Sequence, residues 1–429
     1  MKKVLKKIAL FLVLTPVVLL LLAGLAYVVY GLVAVGGEST PHQAYLNQHK
    51  QNVSFSGTPS FPIFDEAFYQ NQVFFLGEAH GTAAPQELDF ALLQHLHQKV
   101  GLRYYLAEVD QSQAYFLNQY LRTGQEENLQ QVFNFWAKIN AQWGNQNFYD
   151  KVKKIHAFNQ TLPQDQQIQF LGIDRIQDTE TLHLHLKTLL PETASPELSP
   201  VAQLIDTDTL NLDSLVQAAN QVLPGLTTDT ANADLRHTLQ NVVYLDQKVK
   251  RDSVMYLNLH TLVQEQGLQQ EKLYGMWGIF HTIPVKVERG LPLAYLLQQP
   301  ESSFKGKTVS IGVYTLDSES MMPAAALPAF LSKGQRFVNT TWANNDGPMV
   351  FVNGIKDLRA AAGDSPMTMF KTDAAGSPYL TSTRLASFEV LMPNQSIAFA
   401  EANPSITKVF PYVCLVQKSE ATTPYTARL

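Results

Sequence analysis

The chain has 429 residues, 45% of them hydrophobic and 16% charged, a balance that excludes disorder and collagen-like repetition. Its 32 basic and 37 acidic residues leave a net charge of −5, so there is no electrostatic case for a nucleic-acid partner. The single cysteine, Cys414, cannot form an intramolecular disulfide, no CxxC or Cys/His zinc spacing exists, and its place in the apolar run 409–416 marks a packing residue and not a catalytic thiol.

Lys2, Lys3, Lys6 and Lys7 precede an uncharged apolar stretch, 8–35. As a helix it would be ~42 Å long, more than the roughly 30 Å of bilayer hydrocarbon, and it exceeds the apolar region of about 7–15 residues in a secretory signal. Residues 1–37 therefore read as an uncleaved signal anchor, a transmembrane helix whose basic flank stays cytoplasmic. The rest of the chain is sent across the inner or plasma membrane, into a periplasmic or extracellular location. Tyr27 and Tyr30 suit the outer interface as aromatic anchors. Without the four lysines, 28 basic residues face 37 acidic ones in the remainder. Residues 38–60, rich in Ser, Thr, Gln, Asn and Pro, read as a linker.

From 61 to 429 one domain is expected, in which strand-like runs alternate with longer helical segments. The strands are 71–77 (NQVFFLG), 102–109 (LRYYLAEV), 167–174 (QIQFLGID), 273–280 (LYGMWGIF) and 307–314 (KTVSIGVY). A helix opened by Pro85 runs to about Val100, and others fall at about 111–122, 126–138 and 147–160. Such alternation predicts an α/β fold, a mainly parallel sheet flanked by helices on both faces. Residues 191–231, with Pro191, Pro196, Pro200 and Pro224, break the rhythm, and one long helix from about 231 to 266 follows. The pair reads as a helical insertion over about 191–266. The last hundred residues hold β-rich runs near 336–342, 348–354, 379–392 and 395–401, an extension or β-rich edge of the same sheet.

The chemistry collects at strand ends. The first strand runs into Gly77-Glu78-Ala79-His80-Gly81, the second ends Ala107-Glu108-Val109-Asp110, the third Gly172-Ile173-Asp174, and the fourth Gly278-Ile279-Phe280-His281. The carboxyl edges of parallel strands meet in one crevice, where α/β proteins bind ligands. Carboxylates and histidines converging there suit the activation of water as acid–base partners. His80, just ahead of a helix start, is expected to be kept neutral by the positive helix terminus. The same residues could instead hold a divalent metal or a haem iron, or form satisfied pairs at strand ends.

The segment Leu76-Gly77-Glu78-Ala79-His80-Gly81-Thr82, with Glu108 after it, resembles the erythromycin esterase-like family, part of a wider group with ChaN-like haem-binding and Tiki/TraB-type proteins. Gly172-Ile173-Asp174, after a helical stretch that includes Trp136, and Arg251-Asp252 with Met255 and Asn258 are similar to further motifs of that family, and His281 sits where it places a late histidine. The resemblance covers roughly residues 65–300. It implies that Glu78, His80, Glu108 and His281 line the active cleft, with His80 as base for a hydrolytic water and Asp174, Arg251 and Asp252 in support. There are departures. Ala84 stands where the family carries a Glu, Asp89 where it places an Arg, and the earlier His and the Asn of a His-Asn-x-His motif are absent at 278–281.

Other signals are weaker. His95/His97 and His183/His185 are two apart in helical segments, so neither pair faces one ion. There is no GxSxG, HExxH, Walker or GxGxxG motif. Arg251 and Asp252 read either as a helix-surface pair or as cleft residues. Tyr104, Tyr105, Trp277 and Phe280 read as packing, and Met321–Met322 as a mobile loop. Three functions follow. The first is a membrane-anchored extracytoplasmic hydrolase that cleaves an ester, lactone or related acyl bond of a small-molecule substrate and requires no cofactor. The second is a ChaN-like protein binding haem or a metal through Glu78, His80, Glu108 and His281. The third is a non-catalytic surface domain, favoured by Ala84 and Asp89.

Overall fold

The computed structural model describes residues 2–191, 195–227, 232–327, 332, 334–391, 397–400 and 404–427. A long helix, α1 (Lys2–Val35), is followed by α2 (Thr40–Gln48) and an edge strand, β1 (Lys50–Asn52). Then α3 (Glu66–Gln70) leads into β2 (Val73–Glu78), and α4 (Ala84–Val100) into β3 (Tyr104–Asp110). The helices α5 (Gln111–Thr123), α6 (Glu126–Lys138) and α7 (Gln146–Asn159) precede β4 (Gln169–Asp174). Five more, α8 (Thr179–Leu189), α9 (Ser199–Ile205), α10 (Leu212–Val222), α11 (Ala233–Asp246) and α12 (Arg251–Glu265), separate β4 from β5 (Leu273–Gly278). The remaining strands are β6 (Thr308–Leu316), β7 (Ser320–Pro323), β8 (Phe337–Thr340), β9 (Val350–Val352), β10 (Met367–Lys371), β11 (Phe388–Val390) and β12 (Tyr412–Gln417).

Eight strands form one sheet in the order β1-β10-β12-β6-β2-β5-β3-β4. The six from β12 to β4 are parallel, while β10 runs antiparallel to both β12 and β1. This is the mainly parallel α/β sheet expected from the alternation of elements. Every residue of β2 is buried, as a strand covered on both faces requires. Alternate side chains serve two cores. Phe74, Leu76 and Tyr105 pack with α4 to α7 on one face. Phe75, Leu106 and Leu171 pack with Met255, Leu259 and Leu262 of α12 on the other.

Three expectations need correction. The helix expected over 231–266 is two helices, α11 and α12, interrupted around Lys248 at φ +52°. They serve different partners: Leu239 and Val242 of α11 join Leu182, Leu186 and Leu215 in a helical cluster, whereas α12 packs on the sheet. One straight helix could not bury both faces. Within 38–60, expected as a linker, residues 40–48 are helical, and β1 hydrogen-bonds to β10. Met321 and Met322, expected in a mobile loop, are buried in β7, which pairs with β8. In the C-terminal part, β10 and β12 extend the main sheet, whereas β7–β8 and β9–β11 are separate two-stranded ribbons. Of the β-rich run expected at 395–401, only 397–400 are described, and these hold one isolated bridge, Phe399 to Val287.

Because β5 lies between β2 and β3, the carboxyl ends of β2, β5, β3 and β4 are adjacent.

Candidate active site

That edge brings together all seven residues singled out in the sequence. Glu78 ends β2 and is buried, and the loop beyond it presents His80, whose side chain keeps 26% exposure. His80 Nδ1 meets Glu78 Oε1 at 2.5 Å, so the ring's other nitrogen, Nε2, faces the cleft. Across the gap, 4.0 Å away, lies Glu108 Oε2. The β3–β4 pairing changes register between Ala107 and Asp110, around Glu108, the kind of irregularity that re-aims a side chain at a sheet edge. Glu108 Oε2 also accepts from the Gly278 amide at 2.9 Å, and Oε1 from Arg251 at 2.8 Å.

Arg251 opens α12 and crosses to β4. Its Nε donates to both oxygens of Asp174, at 3.0 and 3.1 Å, and one terminal nitrogen donates again to Oδ2 at 2.5 Å. Arg251 is therefore a cleft residue and not a surface pair with Asp252. Asp252 instead holds the second histidine: its Oδ1 meets His281 Nδ1 at 2.7 Å and accepts from the Leu293 amide at 2.8 Å. His281 Nε2 then faces Glu108 Oε1 at 3.6 Å. Two histidine–carboxylate dyads thus approach one carboxylate, Glu108, each on a different oxygen. Asn258 and Asn241 donate to the Ile173 and Asp174 carbonyls, tying α12 and α11 to the end of β4.

Electrostatics follow from this crowding. Burial pulls the His80 pKa down, but the negative charges of Glu78 and Glu108 outweigh it and push the pKa up to about 9. The expectation of a neutral His80 is thereby reversed, because a carboxylate in contact acts more strongly than a helix terminus a turn away. Burial alone would raise the Glu108 pKa, but His281, Arg251, His80 and the Gly278 amide bring it down to about 2. His281 is shifted upward despite its burial, by the Asp252 hydrogen bond and the Glu108 charge. Burial also works against the Arg251 charge, and Asp174 and Glu108 more than offset it.

The structure also gives Asp89 a partner that sequence reasoning passed over, along with braces around the histidine loop. Asp89 is fully buried on α4 and accepts from Lys151 and, at 2.7 Å, from Tyr105 Oη. Lys151, from α7, lines the cleft with Glu78, His80, Glu108, Trp143 and Arg251 around a cavity of about 40 Å3. A cation thus reaches this cleft from α7. Its signal was a lysine within the apolar stripe Tyr149, Val152, Ile155. The histidine loop is braced from distant segments: Gln142 Nε2 donates to the His80 carbonyl at 2.5 Å, Ser320 Oγ to the same oxygen at 3.0 Å, and Met321 N and Thr422 N to the Gly81 carbonyl at 2.9 and 2.7 Å. Gly81 has φ +106°, and a Cβ there would meet Met321 O at 2.4 Å, so only glycine fits. Ala84 N takes its cap from Ser419 Oγ at 3.0 Å. No signal in the local sequence pointed to these braces.

The donor set does not suit a metal ion. Among the described residues no three His, Cys, Asp or Glu side chains are grouped to hold one, and the Arg251 guanidinium occupies the space between Glu108 and Asp174. The arrangement suits proton transfer: two orienting carboxylates, the His80 Nε2 turned to the cleft, the His281 Nε2 behind it against Glu108 and, at 3.3 Å, Arg251, and a fixed anion between the rings. The two remaining candidate pairs are structural. His95 bonds Tyr69 Oη, His97 the Leu102 carbonyl, His183 the Ile205 carbonyl and His185 Ser112 Oγ.

No family model matches the chain, and neither does any curated protein. Solved structures do match. A protein from Bacillus cereus aligns at a TM-score of 0.67 with 13% identity, covering 91% of this chain and 100% of that one. A succinoglycan biosynthesis protein aligns at 0.61 with 15% identity, over 90% and 100%. A histidine-to-asparagine mutant of erythromycin esterase EreC, in its open conformation, aligns at 0.50 with 13% identity, over 85% and 94%. At these identities the likeness is one of fold.

Proposed function

We propose that the protein is a membrane-anchored, extracytoplasmic hydrolase of the erythromycin esterase-like type, cleaving an ester, lactone or related acyl bond of a small-molecule substrate. The observation that carries this is the His80 geometry: Nδ1 is held by Glu78, and Nε2 is turned to a cleft whose far wall is Glu108. The fold shared with erythromycin esterase EreC supports the same reaction class. So does the site itself, since Glu78 and Gln86 both line the cavity and each buries a side-chain oxygen, Oε2 and Oε1, that has no protein donor. The helix α1 supports the anchor. Its segment Leu14–Val35 has a mean hydropathy of 2.5 and is almost uncovered by the rest of the chain.

In this reading a water in the cleft gives a proton to His80 Nε2 as its oxygen bonds to the acyl carbon. Glu78 holds the ring in the tautomer that leaves Nε2 free and stabilises the imidazolium formed. His281, oriented by Asp252, is the second proton carrier and serves the departing oxygen. The products are a carboxylic acid and an alcohol. No metal or cofactor takes part in these steps. With a pKa of about 9, only about 1% of His80 is neutral at pH 7, so activity should climb through the alkaline range.

The test is hydrolysis of an ester and lactone panel by the purified protein and by His80→Ala, matched for folding. Turnover lost in the variant supports the assignment. Equal activity in both would place the chemistry elsewhere. An inert wild type would count against the hydrolase and favour a binding role for the same cleft.

A further inference from the structure

The outer end of α1 does not simply lead into the body; it is packed against it. Tyr27, Tyr30, Gly31, Ala34 and Val35 recur at intervals of three and four and form one face of the helix. The rings of Tyr27 and Tyr30 lie edge-on to Phe351 at 6.2 and 6.0 Å. Tyr27 Oη donates to the Pro348 carbonyl, and Tyr30 Oη to Glu389 at 2.9 Å. Gly31 is closely fitted, since a Cβ there would stand 2.8 Å from the Phe351 ring. Asn353 Nδ2 donates to the Ala34 carbonyl at 3.3 Å, Gly354 N to the Val35 carbonyl at 2.8 Å, and Arg384 to the Gly37 carbonyl at 2.6 Å. Val35 is buried in the same cluster as Phe351, Val352 and Ile355.

The opposite face is bare. Val28, Val29, Leu32 and Val33 are exposed by 56, 51, 60 and 72%. Yet they lie beyond the length a bilayer needs. At ~1.5 Å per residue, roughly 30 Å of hydrocarbon takes up about twenty residues of the apolar stretch, which carries it from Ile8 to about Tyr27. The last eight residues, 28–35, run ~12 Å further, alongside the body. Four large aliphatic side chains facing water there would forfeit stabilisation in proportion to the apolar surface left uncovered.

We infer that the body is clamped to the last two turns of its own anchor and stands on the bilayer, with the ribbon β9–β11 at its foot and the bare face of residues 28–33 in the boundary between headgroups and acyl chains. The partner is the lipid surface itself. This rests on the anchored reading of α1, and it replaces a swinging tether with a fixed orientation of the catalytic domain over the membrane.

The full-length chain in phosphatidylcholine vesicles tests it, with Cys414 buried and out of reach of labels. Ala34→Cys/Asn353→Cys with a short bismaleimide should cross-link within one molecule, and Gly31→Leu should abolish that cross-link without releasing the protein from the vesicles. A fluorophore on Val33→Cys should be quenched by lipids carrying a shallow nitroxide. Full-length, vesicle-bound protein that does not cross-link would overturn the clamp and leave the anchor standing. A fluorophore at Val33→Cys that escapes the nitroxide in vesicle-bound protein would overturn the lipid contact. An N-terminus found by sequencing to begin after Val35 would sink the anchored reading and the clamp together.

Discussion

Glu78→Gln is the substitution that probes the cleft most directly. In the wild type two carboxylates hold His80 protonated, with a pKa of about 9. The nearer one, Glu78, adds a hydrogen bond at 2.5 Å to its charge. A hydrogen bond to a charged group contributes about 1.5–3 kcal/mol. At about 1.4 kcal/mol per pKa unit, its loss lowers the His80 pKa by about one to two units, to about 7–8. The neutral fraction at pH 7 then rises from about 1% to about 10–50%. The assay is kcat/KM for a hydrolysed ester from about pH 6 to about pH 10, with ring nitrogen chemical shifts of His80 followed by NMR over the same range. The wild-type profile should rise about tenfold per pH unit and level off near pH 9. In Glu78→Gln the plateau should begin one to two units lower and sit lower, because the base is weaker and its ring less well held. Stability follows the same sign. The raised His80 pKa contributes stability that is full below about pH 6.5 and is lost as pH climbs through about 9. A wild-type profile flat across this range, or an inflection unmoved by Glu78→Gln, would refute the proposed proton economy.

Three further outcomes are expected. Arg251→Met strips the partner from Asp174, which is fully buried, and should cost about 3–5 kcal/mol in urea unfolding, toward the lower end because the guanidinium is partly exposed; it should also raise the Glu108 pKa from about 2, so that the stability Glu108 lends above about pH 4.5 fades earlier as acid is added. Lys151→Met should destabilise by about 3–5 kcal/mol because it leaves Asp89 charged and buried, whereas Asp89→Asn/Lys151→Met should recover much of that loss, a coupling that a double-mutant cycle would read directly. Gly81→Ala should cost about 1–3 kcal/mol from its φ of +106° and the clash with Met321 O, and should reduce ester turnover by displacing His80 while leaving far-ultraviolet circular dichroism unchanged.

Much of the fold and the membership of the cleft were legible in the sequence, for a local reason. A strand covered on both faces needs an unbroken apolar run, so the first ionisable residue after it marks the edge of the sheet; Glu78, Glu108, Asp174 and His281 could be picked out without knowing their neighbours. The apolar length of 8–35 and the helical periodicity of α4 to α7 are equally local. What only the tertiary structure decided is set by distances through space between residues far apart in the chain. That β5 inserts between β2 and β3 puts the Gly278 amide on Glu108. That the helix expected over 231–266 breaks near Lys248 lets Arg251 begin a new helix aimed at Asp174. Local pattern placed a helix terminus behind His80 and so pointed to a neutral ring, whereas Glu78 and Glu108 make it a cation. Asp89 looked like a missing cation until Lys151, sixty-two residues on, was found against it. Hydrophobic burial is written residue by residue, but a charge takes its state from whatever charges the fold brings beside it, and for this cleft that was decided by the packing of the whole chain.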